Sequence, residues 1–284
     1  MSSAVVWWWS FLCVLAAVNI ATWSLAARAY GGRQSTMTVE SRAACRIQLT
    51  LCAAYVFGCA FRSVFPVYDI PRLCLFDTWL SSVAVGRSVA TVAELSFVSQ
   101  WALLLHATAQ STGSTVARIV SLAIVPLIAT AEFCSWYAVL TTWNLGHVAE
   151  NSIWAITAAL VVMAMISMLP QYAAPRRRVL TAWCLAGAVY VAFMFLFDVP
   201  TYWARHVADQ VGHRHYLSVA QGLADVAHRR AVSYRWEDWK SEVVWMTLYF
   251  SLGVWFSISL THPRASATRS VNDRERVSGL ATAS

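Results

Sequence analysis

The stretch from residue 60 to residue 106 has the residue types and spacing that could support chemistry inside a membrane. Its acidic and basic residues nearly alternate along an otherwise strongly apolar chain: Arg62, Asp69, Arg72, Asp77, Arg87 and Glu94. Charges at membrane depth are costly, so they are usually paired, turned towards the protein interior and tied to a function. This stretch is therefore the first candidate for a functional site.

The composition of the chain predicts an integral membrane protein. Of its 284 residues, 58% are hydrophobic and only 12% are charged, whereas about 25% of the residues of an average soluble domain are charged. The net charge of +7 comes mainly from arginines dispersed between the apolar runs. These arginines form no basic stripe and no nucleic-acid-binding motif, which argues against nucleic acid as a partner.

Apolar runs of about 20 residues, the length that crosses a bilayer, recur seven times. We predict an all-α, polytopic membrane bundle over residues 1–262, followed by a disordered tail over residues 263–284. The predicted spans cover residues 5–27, 45–65, 85–106, 118–143, 150–172, 179–197 and 243–262. A polar, partly helical connection is expected over residues 199–242, and a short amphipathic helix over residues 71–83.

The distribution of arginines predicts the orientation of this bundle. Seven spans place the two termini on opposite sides of the membrane. A non-cytoplasmic N-terminus puts Arg28, the Arg176–Arg178 run and the arginines of the tail on the cytoplasmic side, as the positive-inside rule favours. The alternative orientation would place inside the cell only bases that are interleaved with acids. We therefore expect the N-terminus to be non-cytoplasmic and the C-terminus to be cytoplasmic.

In that orientation, most spans carry a charge in their non-cytoplasmic half, which predicts a charged basin there. The candidate ligand-binding residues are Arg62, Arg87, Glu94, Glu132, Glu150, Asp198, Arg235 and Asp238, with the last two at the mouth of the basin. A guanidinium binds phosphate or carboxylate through paired hydrogen bonds. The hypothesis is a protein that binds a lipid or a small polar solute, as a transporter, a sensor or a lipid-modifying protein.

Two alternatives come from other functional classes. The acids of the basin and the histidines of the 199–242 connection could form a metal-dependent membrane enzyme, but the sequence lacks the histidine spacings of known metal motifs. No residue is therefore assigned as a metal ligand, and the sequence does not identify a cofactor. The many aromatic and small residues of the spans also fit a structural subunit. Its partners would be membrane lipids and other membrane proteins or a second copy of this chain.

Glu132 lies within the fourth span with no basic residue near it in that span. A buried carboxylate without a partner would be strongly destabilising, so Glu132 must either reach an arginine on another helix or be protonated. Glu94 follows Arg87 by seven residues on the same helix face. We predict that Glu94 holds Arg87 and that Glu132 is the acid that stays protonated.

Overall fold

The computed structural model describes residues 2–261 and confirms the all-α bundle with seven candidate membrane-spanning helical segments. The helices are α1 (Ser3–Arg33), α2 (Val39–Val64), α3 (Val83–Thr112), α4 (Thr115–Thr141), α5 (Asn144–Met168), α6 (Ala174–Phe193), α7 (Val199–Val211), α8 (Val219–His228), α9 (Trp236–Leu248) and α10 (Val254–Ser259). The predicted tail, residues 263–284, lies outside the described residues. The orientation of the termini stays a prediction.

The sixth and seventh spans are each interrupted by a π-helical segment. Met194–Asp198 joins α6 to α7, and Tyr249–Gly253 joins α9 to α10. The sixth helical stretch therefore runs from Ala174 to Val211, beyond the predicted end at residue 197. Pro200 does not stop it, because it lies in the first turn of α7 directly after the wider π turn, where fewer α-helical hydrogen bonds are lost.

Helices that are neighbours in the chain pack side by side from α1 to α6, and α9–α10 returns to pack on α1 and α2. The connections are short: Gly113 between α3 and α4 and Thr142 between α4 and α5 both have left-handed backbone conformations that end one helix and allow the next to turn back. A core of buried aromatic residues, including Trp8, Tyr55 and Trp239, joins α1, α2 and α9.

A small layer of polar structure covers the end of the bundle at which α3, α5 and α9 begin, which we call the cap end. It contains α8 and a three-stranded sheet in the order β1 (Val67–Tyr68), β2 (Leu73–Cys74), β3 (Ala231–Val232). β1 and β2 are antiparallel, and β3 runs parallel to β2. The sheet thus ties the connection after α2 to the connection before α9.

The amphipathic helix predicted over residues 71–83 is wrong. The structure has β2 and a short 3-10 turn at Trp79–Ser81 in its place. Arg72 has a left-handed backbone conformation, with φ of 75°, which an α-helix does not accommodate. Its carbonyl group accepts a hydrogen bond from the amide of Ala231, so the local backbone is stabilised by β3, a partner distant in sequence.

The helix expected in the second half of the polar connection is present as α8. Ser218 and Gln221 form a reciprocal capping box at its N-terminus. Its Gly222 packs directly on the last turns of α4, where an added Cβ atom would lie 2.1 Å from the carbonyl oxygen of Leu140.

We expect Gly222→Ala to displace α8 from α4, because the obstructing atom is backbone and cannot rotate away. The expected loss is about 1–3 kcal/mol, the range for overpacked contacts. Limited proteolysis should show faster cleavage within residues 212–235 of the variant. Gly32→Ala is the control, since a Cβ atom there has no atom within 4 Å. Equal cleavage of both variants and the unmodified protein would contradict the tight contact.

Candidate functional site

The strongest candidate site is a group of buried polar side chains on α3, α4 and α5, towards the cap end. The N-cap residue of α3 is Ser82, whose side chain accepts a hydrogen bond from the amide of Val85. Arg87, Thr91 and Glu94 follow at spacings of four and three residues and therefore share one face of the helix. α4 and α5 pack against each other beside that face and supply the remaining charged groups.

Arg87 contacts three carboxylates through a single nitrogen. Its Nη2 lies 2.8 Å from Glu132 Oε2, 3.1 Å from Glu150 Oε1 and 3.7 Å from Glu94 Oε2. We call these three acids the triad. Arg87 and every member of the triad are buried. Three charged groups from three helices thus converge on one guanidinium in the interior of the bundle.

Neighbouring side chains orient two of the carboxylates. Thr91 Oγ1 donates a hydrogen bond of 2.5 Å to Glu132 Oε2 and accepts one of 3.0 Å from Trp136 Nε1. His147 Nδ1 lies 2.8 Å from Glu150 Oε2. Glu150 is therefore held through both of its oxygens, by Arg87 and His147, whereas Glu132 is held through Oε2 alone. Supporting contacts of this kind usually orient ligand-binding carboxylates.

Several buried polar atoms around Arg87 have no hydrogen-bond partner within the described part of the chain. They include Glu132 Oε1 and Arg87 Nε. Buried polar atoms are nearly always satisfied by protein, water or ligand. These unsatisfied atoms therefore indicate a place where a further group completes the site.

The charges of the site do not balance. Counted with all three carboxylates ionised against the single guanidinium of Arg87, the formal charge of the site is −2. An uncompensated buried charge is strongly destabilising. Additional positive charge is therefore required, either as protons or as a cation. One ligand oxygen from each acid lies within 4.8 Å of the others, which suits a central cation with metal–oxygen distances of about 2.0–2.6 Å.

The prediction that Glu94 is the main partner of Arg87 is wrong. Glu132 and Glu150 make the two closest contacts, and Glu94 is the most distant of the three acids. Residues seven apart on a helix are separated by about 10 Å along its axis. The side chains of Arg87 and Glu94 must therefore cover that distance along one helix, whereas the other two acids approach Arg87 from facing helices.

The remaining predicted site residues lie at different distances from the triad. Asp198 is in electrostatic range of Glu150 across the bundle. Arg62 is buried, donates a hydrogen bond to the carbonyl group of Val67 and lies over the ring of Trp245. The contacts that the structure shows for Asp238 and Arg235 lie at the start of α9. Asp238 accepts a hydrogen bond from Ser233, and its amide donates to the Arg235 carbonyl group.

The sequence interpretation missed His147, although a signal was present. It precedes Glu150 by three residues, a spacing that places both on one helix face. The fifth span was expected to begin at residue 150, which left His147 in a loop. α5 begins at Asn144, so His147 is within its first turn and buried. The histidine of the site thus comes from α5 and not from the 199–242 connection.

A second polar group lies between α7 and α9, nearer the cap end. Arg205 Nη2 is 3.8 Å from Glu242 Oε1, and the guanidinium lies over the rings of Tyr202 and Tyr68, 4.8 and 5.6 Å from their centroids. Burial, reinforced by the Glu242 carboxylate, raises the pKa of Tyr68 to about 12. Its hydroxyl group is therefore protonated at neutral pH and available as a hydrogen-bond donor.

The two polar groups are adjacent. The rings of His147 and Tyr202 are 5.0 Å apart. His147 thus contacts the triad through Glu150 and the α7 side of the bundle through Tyr202.

Comparison of the chain with protein-family models, curated proteins and solved structures found no match. The chemistry of the site therefore has to be inferred from its own contacts and charges.

Proposed function

We propose that this multi-pass membrane protein binds a small divalent cation at the triad. The observation that carries the proposal is the convergence of Glu94, Glu132 and Glu150 within 4.8 Å of one another in the buried interior. A divalent ion would bring the net charge of −2 to zero. It would also provide a partner for Glu132 Oε1, which has none among the described residues.

A cation fits this site better than the anionic ligand that the arginines suggested. Arg87 is already engaged by three carboxylates, so a phosphate or carboxylate ligand would meet a surplus of negative charge. Arg62 contacts the carbonyl group of Val67 and the ring of Trp245. Each guanidinium already uses its Nη2 in these contacts, and both side chains are buried.

The donor set indicates which cations would be preferred. Carboxylate oxygens favour hard ions such as Mg²⁺, Ca²⁺ and Mn²⁺. His147 would act through Glu150, because its Nδ1 faces that carboxylate and orients it.

Arg87 takes the role of a tethered counter-ion in this proposal. Its Nη2 occupies the region between the three carboxylates that the ion would need. The ion therefore binds by displacing the guanidinium from at least part of the triad, and Arg87 and the ion compete. Removing the arginine should then strengthen cation binding, whereas removing a carboxylate should weaken it.

We expect Glu132→Gln to weaken Mn²⁺ binding by at least tenfold, because glutamine keeps the shape and the hydrogen bond from Thr91 but removes the charge. The measurement is titration calorimetry, or the loss of the free Mn²⁺ electron paramagnetic resonance signal, on protein purified in detergent. Glu94→Gln should have a similar effect.

Glu237→Gln is the matched control, because Glu237 is an exposed acid paired with Lys240 at the start of α9. It should bind Mn²⁺ as the unmodified protein does. The proposal is overturned if the unmodified protein binds none of Mn²⁺, Mg²⁺ and Ca²⁺ at millimolar concentration, or if the two triad variants bind as tightly as the control.

A further inference from the structure

Two arginines and one acid meet at the cap end in a closed set of contacts that shares no residue with the triad. α2 supplies Arg62, whose Nη2 donates a hydrogen bond of 3.3 Å to the carbonyl group of Val67 and whose guanidinium lies over the ring of Trp245. α7 supplies Arg205, whose guanidinium lies over the ring of Tyr68. The members, which we call the arginine cluster, are Arg62, Val67, Tyr68, Arg205, Glu242 and Trp245.

The single acid of the arginine cluster is already bound by other donors. Glu242 is buried. Its Oε1 accepts a hydrogen bond of 3.0 Å from Ser241 Oγ, and its Oε2 accepts one of 2.5 Å from Trp245 Nε1. Arg205 Nη2 remains 3.8 Å from Oε1, which is longer than a hydrogen bond. Both oxygens of Glu242 are therefore satisfied without a hydrogen bond from Arg205.

The arginine cluster has a surplus of positive charge and of donors. Two guanidinium groups and one carboxylate give it a formal charge of +1. Arg62 is 3% exposed and forms no ion pair with any described residue, and its Nε has no hydrogen-bond partner among them. Asp209, one turn beyond Arg205 on α7, is paired with Arg214. Water could satisfy the remaining donor, but only an anion would also offset the charge.

The length of the sixth helical stretch places Arg205 beyond the hydrocarbon core. The exposed Arg176–Arg178 run at its start marks the opposite membrane surface, because charges are costly in hydrocarbon. Arg205 follows Arg178 by 27 residues, which is about 40 Å along a helix, whereas the hydrocarbon core is about 30 Å thick. A typical tilt of about 20° shortens the distance across the membrane only to about 38 Å. The Arg205 side chain is 28% exposed, so lipid headgroups and solutes at the membrane surface can reach it.

We propose that the arginine cluster binds a small oxyanion, a phosphate or carboxylate group, through the guanidinium of Arg205. Stacking on aromatic rings covers the face of a guanidinium and leaves its N–H edge, which binds two oxygens of an oxyanion at once. The Tyr68 hydroxyl group is a further donor, and Arg62 contributes the second positive charge. The oxyanion comes either from the headgroup of a membrane lipid or from free phosphate, and it is independent of the cation proposed for the triad.

The test is titration calorimetry on protein purified in dodecylmaltoside, with two probes at an ionic strength held constant by chloride. The probes are inorganic phosphate and dioctanoyl phosphatidic acid, and at least one should bind at millimolar concentration or below. Arg205→Gln should weaken binding by about tenfold or more, the loss expected for a charge-assisted hydrogen bond. Arg205→Lys keeps the charge but lacks the planar fork. It should also bind more weakly, and it tests the site even where the glutamine variant does not fold.

Arg229→Gln is the matched control, because Arg229 is an arginine of the cap whose side chain is 63% exposed. Dioctanoylglycerol, which has the same chains without the phosphate, controls for binding of the chains. Tighter binding of the phosphatidic acid than of phosphate identifies a lipid headgroup as the ligand, and equal affinities identify the free anion. The oxyanion site is overturned if neither probe binds, if dioctanoylglycerol binds as tightly as the phosphatidic acid, or if both Arg205 variants bind as the control does.

Discussion

Replacing Arg87 by methionine is expected to lower the free energy of unfolding by about 3–5 kcal/mol, the range for breaking a buried ion pair by removing one partner. Methionine preserves much of the buried volume but leaves Glu94, Glu132 and Glu150 without their shared guanidinium. Each of these acids is at least nine-tenths buried. Their mutual repulsion and lost solvation must then be relieved by protons, by a cation or by local unfolding.

The measurement is unfolding in mixed micelles of dodecylmaltoside and sodium dodecyl sulfate. Arg118→Met is the control, because Arg118 lies exposed in the first turn of α4 and its removal should change the stability by less than about 1 kcal/mol. Adding Glu132→Gln to Arg87→Met should recover part of the loss, since it removes one of the uncompensated charges. Equal stability of the two arginine variants would contradict the central role of Arg87.

The same variant distinguishes a tethered counter-ion from a merely structural arginine. If Arg87 and the cation compete for the triad, Mn²⁺ should stabilise Arg87→Met more than it stabilises the unmodified protein, because a ligand stabilises the folded state in proportion to the logarithm of its concentration over its dissociation constant. If Arg87 only holds the helices together, Mn²⁺ should not restore the variant.

The membrane architecture could be predicted because it depends on local properties of the chain. The length of an apolar run decides whether a helix can cross a bilayer, and glycine, proline and polar residues mark its ends. Glu132 could also be identified, because a charge in an apolar run is informative wherever it occurs. The preferred partner of Arg87 could not be predicted, because the choice between Glu94 and Glu132 depends on the rotation of α3 against α4. That rotation is set by packing along the whole helix, and the sequence pattern does not fix it.

The cap was predicted less well, because its stabilising contacts join residues distant in sequence. Pro71 after Asp69 suggested the start of a helix. The conformation of Arg72 is instead fixed by groups that come 67 and 153 residues later in the chain. His147 was missed for a simpler reason. The predicted boundary of α5 was six residues late, and element boundaries are the least certain part of such predictions.

The contacts of Arg72 lead to the second prediction of a large effect. Arg72 is 2% exposed. Its Nε donates to Asp225 Oδ2 at 2.8 Å, its Nη1 to the carbonyl oxygen of Asp69 at 2.7 Å, and its Nη2 to the carbonyl oxygen of Val139 at 2.6 Å. A single guanidinium thus joins α8, the turn between β1 and β2, and the end of α4.

Arg72→Met is expected to destabilise the cap by about 3 kcal/mol, since the partly buried carboxylate of Asp225 and two carbonyl groups lose their donor together. Arg230→Met is a closely matched control. Its Nε donates to Asp77 at 2.9 Å over an equally long separation in sequence, but the side chain of Asp77 is 74% exposed. An exposed pair contributes about 0–1 kcal/mol, so the difference between the two variants isolates the effect of burial.

Hydrogen exchange followed by mass spectrometry should show where the loss occurs. Faster exchange is expected in α8, in the sheet and in the last turn of α4, and unchanged exchange in the half of the bundle remote from the cap.

Because α4 also carries Glu132, loosening its end should weaken Mn²⁺ binding at the triad while leaving all three carboxylates in place. If Arg72→Met and Arg230→Met had the same hydrogen exchange and the same stability, the buried contacts of Arg72 would not be needed to position the site. A selective loss in Arg72→Met would show that the cap helps to position the site.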